Sequence, residues 1–305
     1  MLQLAFESRF CAAPDGLKLH IRDYGSPLDP GLPVVCLAGL TRNSADFGPL
    51  ASALASGARG LKRRILAPDY RGRGSSEYDP DWRHYNLAVE HGDLLAILTA
   101  FEISAAIFIG TSRGGLHTMM LSGTRPSVLR GAVLNDIGPV IEPNGLARIR
   151  GYVGKLPAPR SIVDAVDLLK ELMSERFTGL SEAEWDTYAK MTFTDAVGRL
   201  GPRYDQNLMK TLEDLDLEQP LPDLWHQYDG LKGVPVLVLR GANSDVLSRD
   251  TLEQMVSRHS GAEVLTIEGQ GHAPLLLDAP TIERVCDFVA GIDGSTASAP
   301  SRKDA

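Results

Sequence analysis

Ser112 lies in Gly110-Thr-Ser112-Arg-Gly114, and no second Gly-x-Ser-x-Gly occurs in the 305 residues. A serine hydroxyl is a weak nucleophile at neutral pH. To act, it needs a positioned base, a group that orients the base, and donors for the oxyanion that forms. Seven histidines are present. His272, in Gln270-Gly271-His272-Ala273-Pro274, follows the last expected strand and is the candidate base. His20, His84, His91, His117, His226 and His259 fall inside or beside expected elements and read as structural or surface residues. Two acids are placed to orient His272. Asp245, in Arg240-Gly-Ala-Asn-Ser-Asp, gives the order Ser…Asp…His on successive loops. Asp136 follows the preceding strand and is the alternative. The expected oxyanion donors are the backbone N–H of Arg113, at a helix start, and that of Leu40 in Ala38-Gly39-Leu40. The plainer reading of that tripeptide is a turn.

These residues require a strand–turn–helix around Ser112. The apolar run Ala105–Ile109 supplies the strand, and helix-compatible residues begin at Leu116. Both flanking glycines are needed where the turn crowds the backbone. Further strands are expected at Phe6–Ala12, Lys18–Tyr24, Pro33–Leu40, Arg64–Pro68, Gly131–Leu134, Pro235–Leu239 and Glu263–Ile267. Helices are expected at Phe47–Ala55, Leu87–Phe101 and Pro280–Ala290. Alternating strands and helices imply right-handed βαβ units, hence an α/β fold with a mostly parallel eight-stranded sheet flanked by helices. Arg113 is a charge pressed against that sheet and needs a partner. An Arg113–Asp136 ion pair would satisfy both.

The rhythm breaks between about Gly138 and Leu231, where helices but no convincing strand appear. Ser161 with Asp164, and Ser181 with Glu184, are spaced as helix-start capping boxes. The expected organisation is a core of residues 1–137 and 231–291, a helical lid of residues 138–230 inserted after the sixth strand, and a disordered tail over 292–305. Trp185, Tyr188, Phe193 and Tyr152 either wall an apolar substrate cavity or pack the lid's own core. Arg42 and Asn43 either bind a polar substrate group or serve as a helix cap and a solvent-facing residue. Lys155–Arg160 reads as a hinge or as a stiff surface loop.

A net charge of -8 and the lack of a basic run argue against a nucleic-acid partner or an anionic membrane surface. Cys11, Cys36 and Cys286 are scattered, which argues against a disulfide framework or zinc site and fits a reducing compartment. No secretory signal or membrane-spanning apolar run is visible, so a cytoplasmic location is expected. His-Glu-x-x-His is absent, and neither Gly72-Arg-Gly74 nor Gly269-Gln-Gly271 completes a dinucleotide fingerprint.

Together, Gly110-Thr-Ser112-Arg-Gly114, Asp69-Tyr-Arg-Gly-Arg-Gly-Ser-Ser, Asp245 and Gly271-His272 resemble the α/β-hydrolase superfamily. The resemblance spans residues 5–290, and is to the lidded serine esterase and haloperoxidase-like members. Two positions depart from it: Ala38-Gly39 stands where His-Gly is common, and Arg113 where an apolar or amide residue is common. The resemblance implies cleavage of carboxylic esters of small to medium acyl or aryl substrates through an acyl-enzyme on Ser112. No cofactor or metal is implied, and the expected partner is a small-molecule ester, with the chain a monomer or homodimer. Carbon–carbon bond hydrolysis of ring-cleavage products uses the same residues, but Ala273 follows the histidine where that family typically has Trp. Lactone hydrolysis and a non-catalytic ligand receptor on the same fold are the other readings.

Overall fold

The computed structural model describes residues 4–195, 199–213, 216 and 221–297. The chain opens with a hairpin of β1 (Glu7–Ala12) and β2 (Lys18–Tyr24). The alternating part follows as β3 (Val34–Leu37), α1 (Gly48–Ser56), β4 (Ile65–Pro68), α2 (Leu87–Ala100), β5 (Ala106–Thr111), α3 (Arg113–Thr124) and β6 (Leu129–Asn135). After an insertion, the pattern resumes with β9 (Val236–Gly241), α9 (Arg249–Arg258), β10 (Ala262–Ile267) and α10 (Ala279–Ala297). The eight strands form one sheet in the order β1-β2-β4-β3-β5-β6-β9-β10. Pairing is antiparallel across β1/β2 and β2/β4 and parallel elsewhere.

The central strands read as continuous apolar runs because both faces are covered. Along β5, Ile107 and Ile109 face one side, where they join Leu50 and Leu54 of α1 and Val285 and Val289 of α10. Phe108 faces the other side, among Leu94 and Leu98 of α2, Leu116 and Met119 of α3, and Met255 of α9. Because β3 to β6, β9 and β10 pair parallel, their C-terminal ends share one sheet edge, where the loops after β3, β5, β6, β9 and β10 gather. Among the described residues, no helix is long and apolar enough to cross a membrane.

The insertion carries α4 (Pro143–Tyr152), α5 (Ile162–Met173), α6 (Glu182–Thr192), α7 (Lys210–Glu213) and α8 (Trp225–Asp229). It is not purely helical. Phe193–Asp195 (β7) and Leu200–Pro202 (β8) pair antiparallel, anchored by the buried Phe193. Ser181 and Glu184 complete the reciprocal capping box at α6, whereas Ser161 caps α5 alone, because Asp164 turns to the Arg160 N–H. Ala165, Leu169, Phe177, Trp185 and Phe193 give the insertion its own small core. At the other end of the chain, the expected disorder from residue 292 does not begin there. α10 continues to Ala297, since Ile292 packs over Gly131 and Asp293 pairs with the buried Arg63 at 2.6 Å. Residues 298–305 lie outside the described residues.

Candidate functional site

Ser112 stands between β5 and α3 with φ 50° and ψ −115°, a conformation that costs a non-glycine residue energy and is held only by tight surroundings. The motif's glycines supply those surroundings. A Cβ on Gly114 would lie 2.0 Å from the Leu37 carbonyl oxygen, and one on Gly110 would lie 2.5 Å from the Gly114 backbone. Strand and helix therefore approach until only hydrogens fit between them, and the serine hydroxyl is pushed out at the sheet edge.

The Ser112 hydroxyl donates to His272 Nε2 at 2.8 Å. Nδ1 of the same ring lies 2.8 Å from Asp136 Oδ2; a carboxylate only accepts, so Nδ1 carries the proton and Nε2 is free to take one. Asp136 is fully buried. Its Oδ1 accepts from the Gly241 N–H at 2.8 Å, and its Oδ2 also accepts from the Ser244 hydroxyl at 2.6 Å. Such a chain can pass a proton from Ser112 to His272 while a buried carboxylate stabilises the imidazolium that results.

Here the expected acid is corrected: Asp136, not Asp245, meets His272. The ladders explain why. Thr111 pairs with Asn135, and Asn135 with Leu239, so Ser112 and Asp136 leave neighbouring strands at the same level. The Ser112 N–H donates to the Asn135 carbonyl at 2.9 Å, and the Asp136 N–H to the Leu239 carbonyl at 2.8 Å. Asp245 is one strand farther away and is claimed by the insertion. It receives Arg148 Nε at 2.6 Å and Nη2 at 2.8 Å, with Arg176 at 3.3 Å. Burial acts to raise its pKa, but the Arg148 bond and the charges of Arg148 and Arg176 outweigh that and hold the carboxyl below its ordinary range. Ser244, in the same loop, is the residue of that segment that reaches the His272 pair. Its type was visible in the sequence, but not its direction.

The expected Arg113–Asp136 pair is also absent. Arg113 Nε donates instead to Glu90 Oε2 at 2.5 Å, because α3 carries its first side chain toward α2 and away from β6. Glu90 in α2 gave no signal in the sequence beyond its place in a helix's first turn. The loop Ala38-Gly39-Leu40 runs beside Ser112, and a Cβ on Gly39 would stand 3.7 Å from Ser112 Cβ. The N–H of Arg113 heads α3 on the other side, where the helix dipole favours negative charge.

A cavity of about 100 Å³ opens over Ser112 and His272. Gly39, Leu40 and Thr111 form its floor, and Tyr152, Leu169, Met173, Tyr188 and Met191 come from the insertion. Of the four aromatics considered, Tyr152 and Tyr188 line it. Trp185 and Phe193 do not; both are buried in the insertion's own core, Trp185 edge-on to Phe177 at 6.4 Å. Burial pushes the Tyr152 phenol up to about 12 and raises that of Tyr188, so both stay neutral at ordinary pH. Arg42 reaches this wall, bonded to both Asp46 carboxylate oxygens at 2.7 and 2.6 Å and to Thr192 at 2.5 Å. Its charge is thus matched before any substrate enters. Asn43 caps the following turn through the Ala45 N–H and ties it to the Met191 carbonyl. The Lys155–Arg160 loop is stitched at both ends, by Gly154 N–H to Tyr204 and by Leu200 N–H to Pro159.

Asp15, Asp79 and His84 bring three potential metal-ligating atoms together. Arg71 sits among them with Nη1 2.8 Å from Asp15 and 2.6 Å from Asp79, so a guanidinium already supplies the positive charge.

A model of the alpha/beta hydrolase family matches residues 34–284. A 3-hydroxybutyrate-oligomer hydrolase of Cupriavidus necator is 30% identical over 289 residues, covering 92% of this chain and 96% of that protein. An sn-1-specific diacylglycerol lipase of Mus musculus is 25% identical over 251 residues, covering 80% and 76% respectively. The crystal structure of an alpha/beta hydrolase from Novosphingobium aromaticivorans superposes with a TM-score of 0.86 at 37% identity, covering 93% of this chain and 98% of that one. Matches of this extent, added to the sheet order and the turn at Ser112, make the chain a hydrolase of the alpha/beta hydrolase family.

Proposed function

We propose that this protein is a serine hydrolase that cleaves carboxylic esters with a short acyl group, working through an acyl-enzyme on Ser112. The observation that carries the reading is the continuous Ser112–His272–Asp136 hydrogen-bond chain at the floor of a small, mostly apolar cavity. In the first half-reaction, Ser112 Oγ attacks the ester carbonyl carbon and His272 Nε2 takes its proton. The carbonyl oxygen becomes an oxyanion that accepts from the N–H groups of Leu40 and Arg113. The carbon–oxygen bond to the alcohol then breaks, and His272 returns the proton to the leaving oxygen. Water repeats the sequence on the acyl-enzyme and releases the acid. Asp136 holds the ring and offsets its transient charge throughout.

The cavity supports a short acyl chain. An engineered apolar cavity of about 150 Å³ accepts benzene, so about 100 Å³ suits a unit of about four carbons. The Cupriavidus relative is named for oligomers of a four-carbon hydroxy acid, which makes those oligomers the first natural-type substrate to try. The matching of Arg42 by Asp46 supports a neutral acyl unit at that wall, with the terminal carboxylate of an oligomer directed elsewhere. The insertion, roofing the cavity through Tyr152 and Tyr188, acts in this reading as the lid that sets chain length.

The test is turnover of p-nitrophenyl esters of increasing acyl length by wild type and Ser112→Ala in parallel, with 3-hydroxybutyrate oligomers alongside. The expected result is a maximum near butyrate, abolished in Ser112→Ala. Equal background rates in both proteins would remove the serine-hydrolase reading. Turnover confined to long chains would remove the short-acyl assignment.

A further inference from the structure

The two N–H groups assigned above to the oxyanion belong to separate segments, the loop after β3 and the first turn of α3. A buried ionic trio joins them. Glu90, in the first turn of α2, has no exposed surface. Its Oε1 accepts from Arg73 Nη1 at 2.6 Å, and its Oε2 accepts from Arg113 Nε at 2.5 Å. Arg73, also fully buried, turns its Nε to the Leu40 carbonyl at 2.8 Å and donates a further bond from Nη1 to the Arg71 carbonyl at 2.7 Å. One unbroken path therefore runs from the Leu40 carbonyl through Arg73 and Glu90 to Arg113.

We propose that Glu90 is a positioning residue: through Arg73 and Arg113 it fixes the distance and direction between the Leu40 and Arg113 N–H groups. This inference rests on the serine-hydrolase reading of the same site. Apolar side chains would fill this space without the cost of burying three charges, and a buried ionic group is a poor device for stability alone. What the trio adds is direction. The carboxylate receives both guanidinium groups, and one of these in turn holds the Leu40 carbonyl, one peptide unit after the Leu40 N–H. Burial alone would raise the Glu90 pKa, but the charges of Arg113 and Arg73 outweigh it, so the clamp stays ionised. An oxyanion donor is useful only if it already points at the charge when that charge forms; a loose donor must reorganise during the reaction. Loosening the clamp therefore falls on the transition state and leaves ester binding, which uses the lid and the cavity wall, largely intact.

The experiment compares wild type, Glu90→Gln and Arg113→Gln on p-nitrophenyl butyrate and on an alkyl trifluoromethyl ketone. The ketone forms a Ser112 hemiketal whose oxygen occupies the oxyanion position. Expected are a fall in kcat of about tenfold or more in each variant, KM within about threefold, and a rise in the ketone Ki that follows the loss in kcat/KM. Glu90→Gln leaves the buried Arg73 and the partly buried Arg113 without a counter-charge. Should it fail to fold, Arg113→Gln alone decides, since it keeps the Glu90–Arg73 pair. Variants with wild-type kcat, or with reduced kcat but an unchanged ketone Ki, would overturn the clamp alone. A wild type that neither turns over esters nor binds the ketone would overturn the serine-hydrolase reading and the clamp with it.

Discussion

Replacing Asp136 by Asn tests which acid serves His272, and the structure fixes the magnitude. The amide has nearly the shape of the carboxylate but only one accepting atom. Three donors claim the native side chain: the Gly241 N–H on Oδ1 at one end, and at the other the His272 Nδ1–H and the Ser244 hydroxyl, which can rotate to accept, on Oδ2. If the amide oxygen keeps Gly241, its NH₂ faces Nδ1, and His272 must move its proton to Nε2, toward Ser112. The base is then lost. If the oxygen turns to His272, the NH₂ opposes the buried Gly241 N–H, and leaving such a group unpaired costs about 1–3 kcal/mol. The first arrangement wins, so kcat/KM should fall about 10⁴-fold, as it does when a triad aspartate elsewhere is neutralised and the histidine takes the wrong tautomer. That is roughly 5.5 kcal/mol of transition-state stabilisation. Asp245→Asn should change kcat/KM by less than about fivefold and cost only ~1 kcal/mol of stability, because its Arg148 and Arg176 partners are partly exposed. The assay is p-nitrophenyl butyrate turnover normalised by fluorophosphonate titration of Ser112. If Asp245→Asn lost about a thousandfold while Asp136→Asn stayed within tenfold of wild type, the reasoning from strand register would be wrong.

Two further perturbations follow from buried charge. Burial, with the neighbouring His117 second, lowers the His91 pKa from 6.5 to about 4. The unfolded chain therefore takes up a proton that the folded chain refuses, and stability should fall by ~3 kcal/mol as pH drops from 6.5 toward 4. Burial lowers the His117 pKa as well, adding a contribution of the same sign. Urea unfolding at pH 7, 5.5 and 4.5 should show a shallower slope for His91→Gln, and an unchanged slope would refute the assignment. At the C-terminal helix, Asp293→Ala leaves Arg63, which is 1% exposed, without its carboxylate, and should cost about 3 kcal/mol with kcat unaltered. A melting temperature within a degree of wild type would show that Arg63 finds another partner.

The parts of this protein that were legible in the sequence are those decided locally. The turn at Ser112 is written in five consecutive residues, although only one of the two clashes that exclude a Cβ is local: Gly110 meets the Gly114 backbone, whereas Gly114 meets Leu37 of the neighbouring strand β3. The sheet was legible for a similar reason, because a strand covered on both faces can only be an apolar run. His272 followed from its place after the last strand. The partners of charged residues were not legible, and each misassignment has that cause. Asp245 and Asp136 both leave strands at the catalytic edge. The choice between them depends on Arg148, 97 residues from Asp245, reaching it from a helix of the insertion. Arg113 needed a partner, as burial demands, but two carboxylates were within plausible reach, and only the direction of α3 selects Glu90. The same holds for Trp185 and Tyr188, three residues apart on α6. Both pack in the insertion's core against Phe177, and only Tyr188 also reaches the cavity wall. Hydrophobic period and steric exclusion act through neighbours in the chain and leave a readable pattern. An ion pair is chosen among all the charges that folding brings close. A site whose nucleophile is local and whose orienting acid is not will therefore be half-readable: the serine and the histidine are named by the sequence, and the carboxylate is named only by the fold.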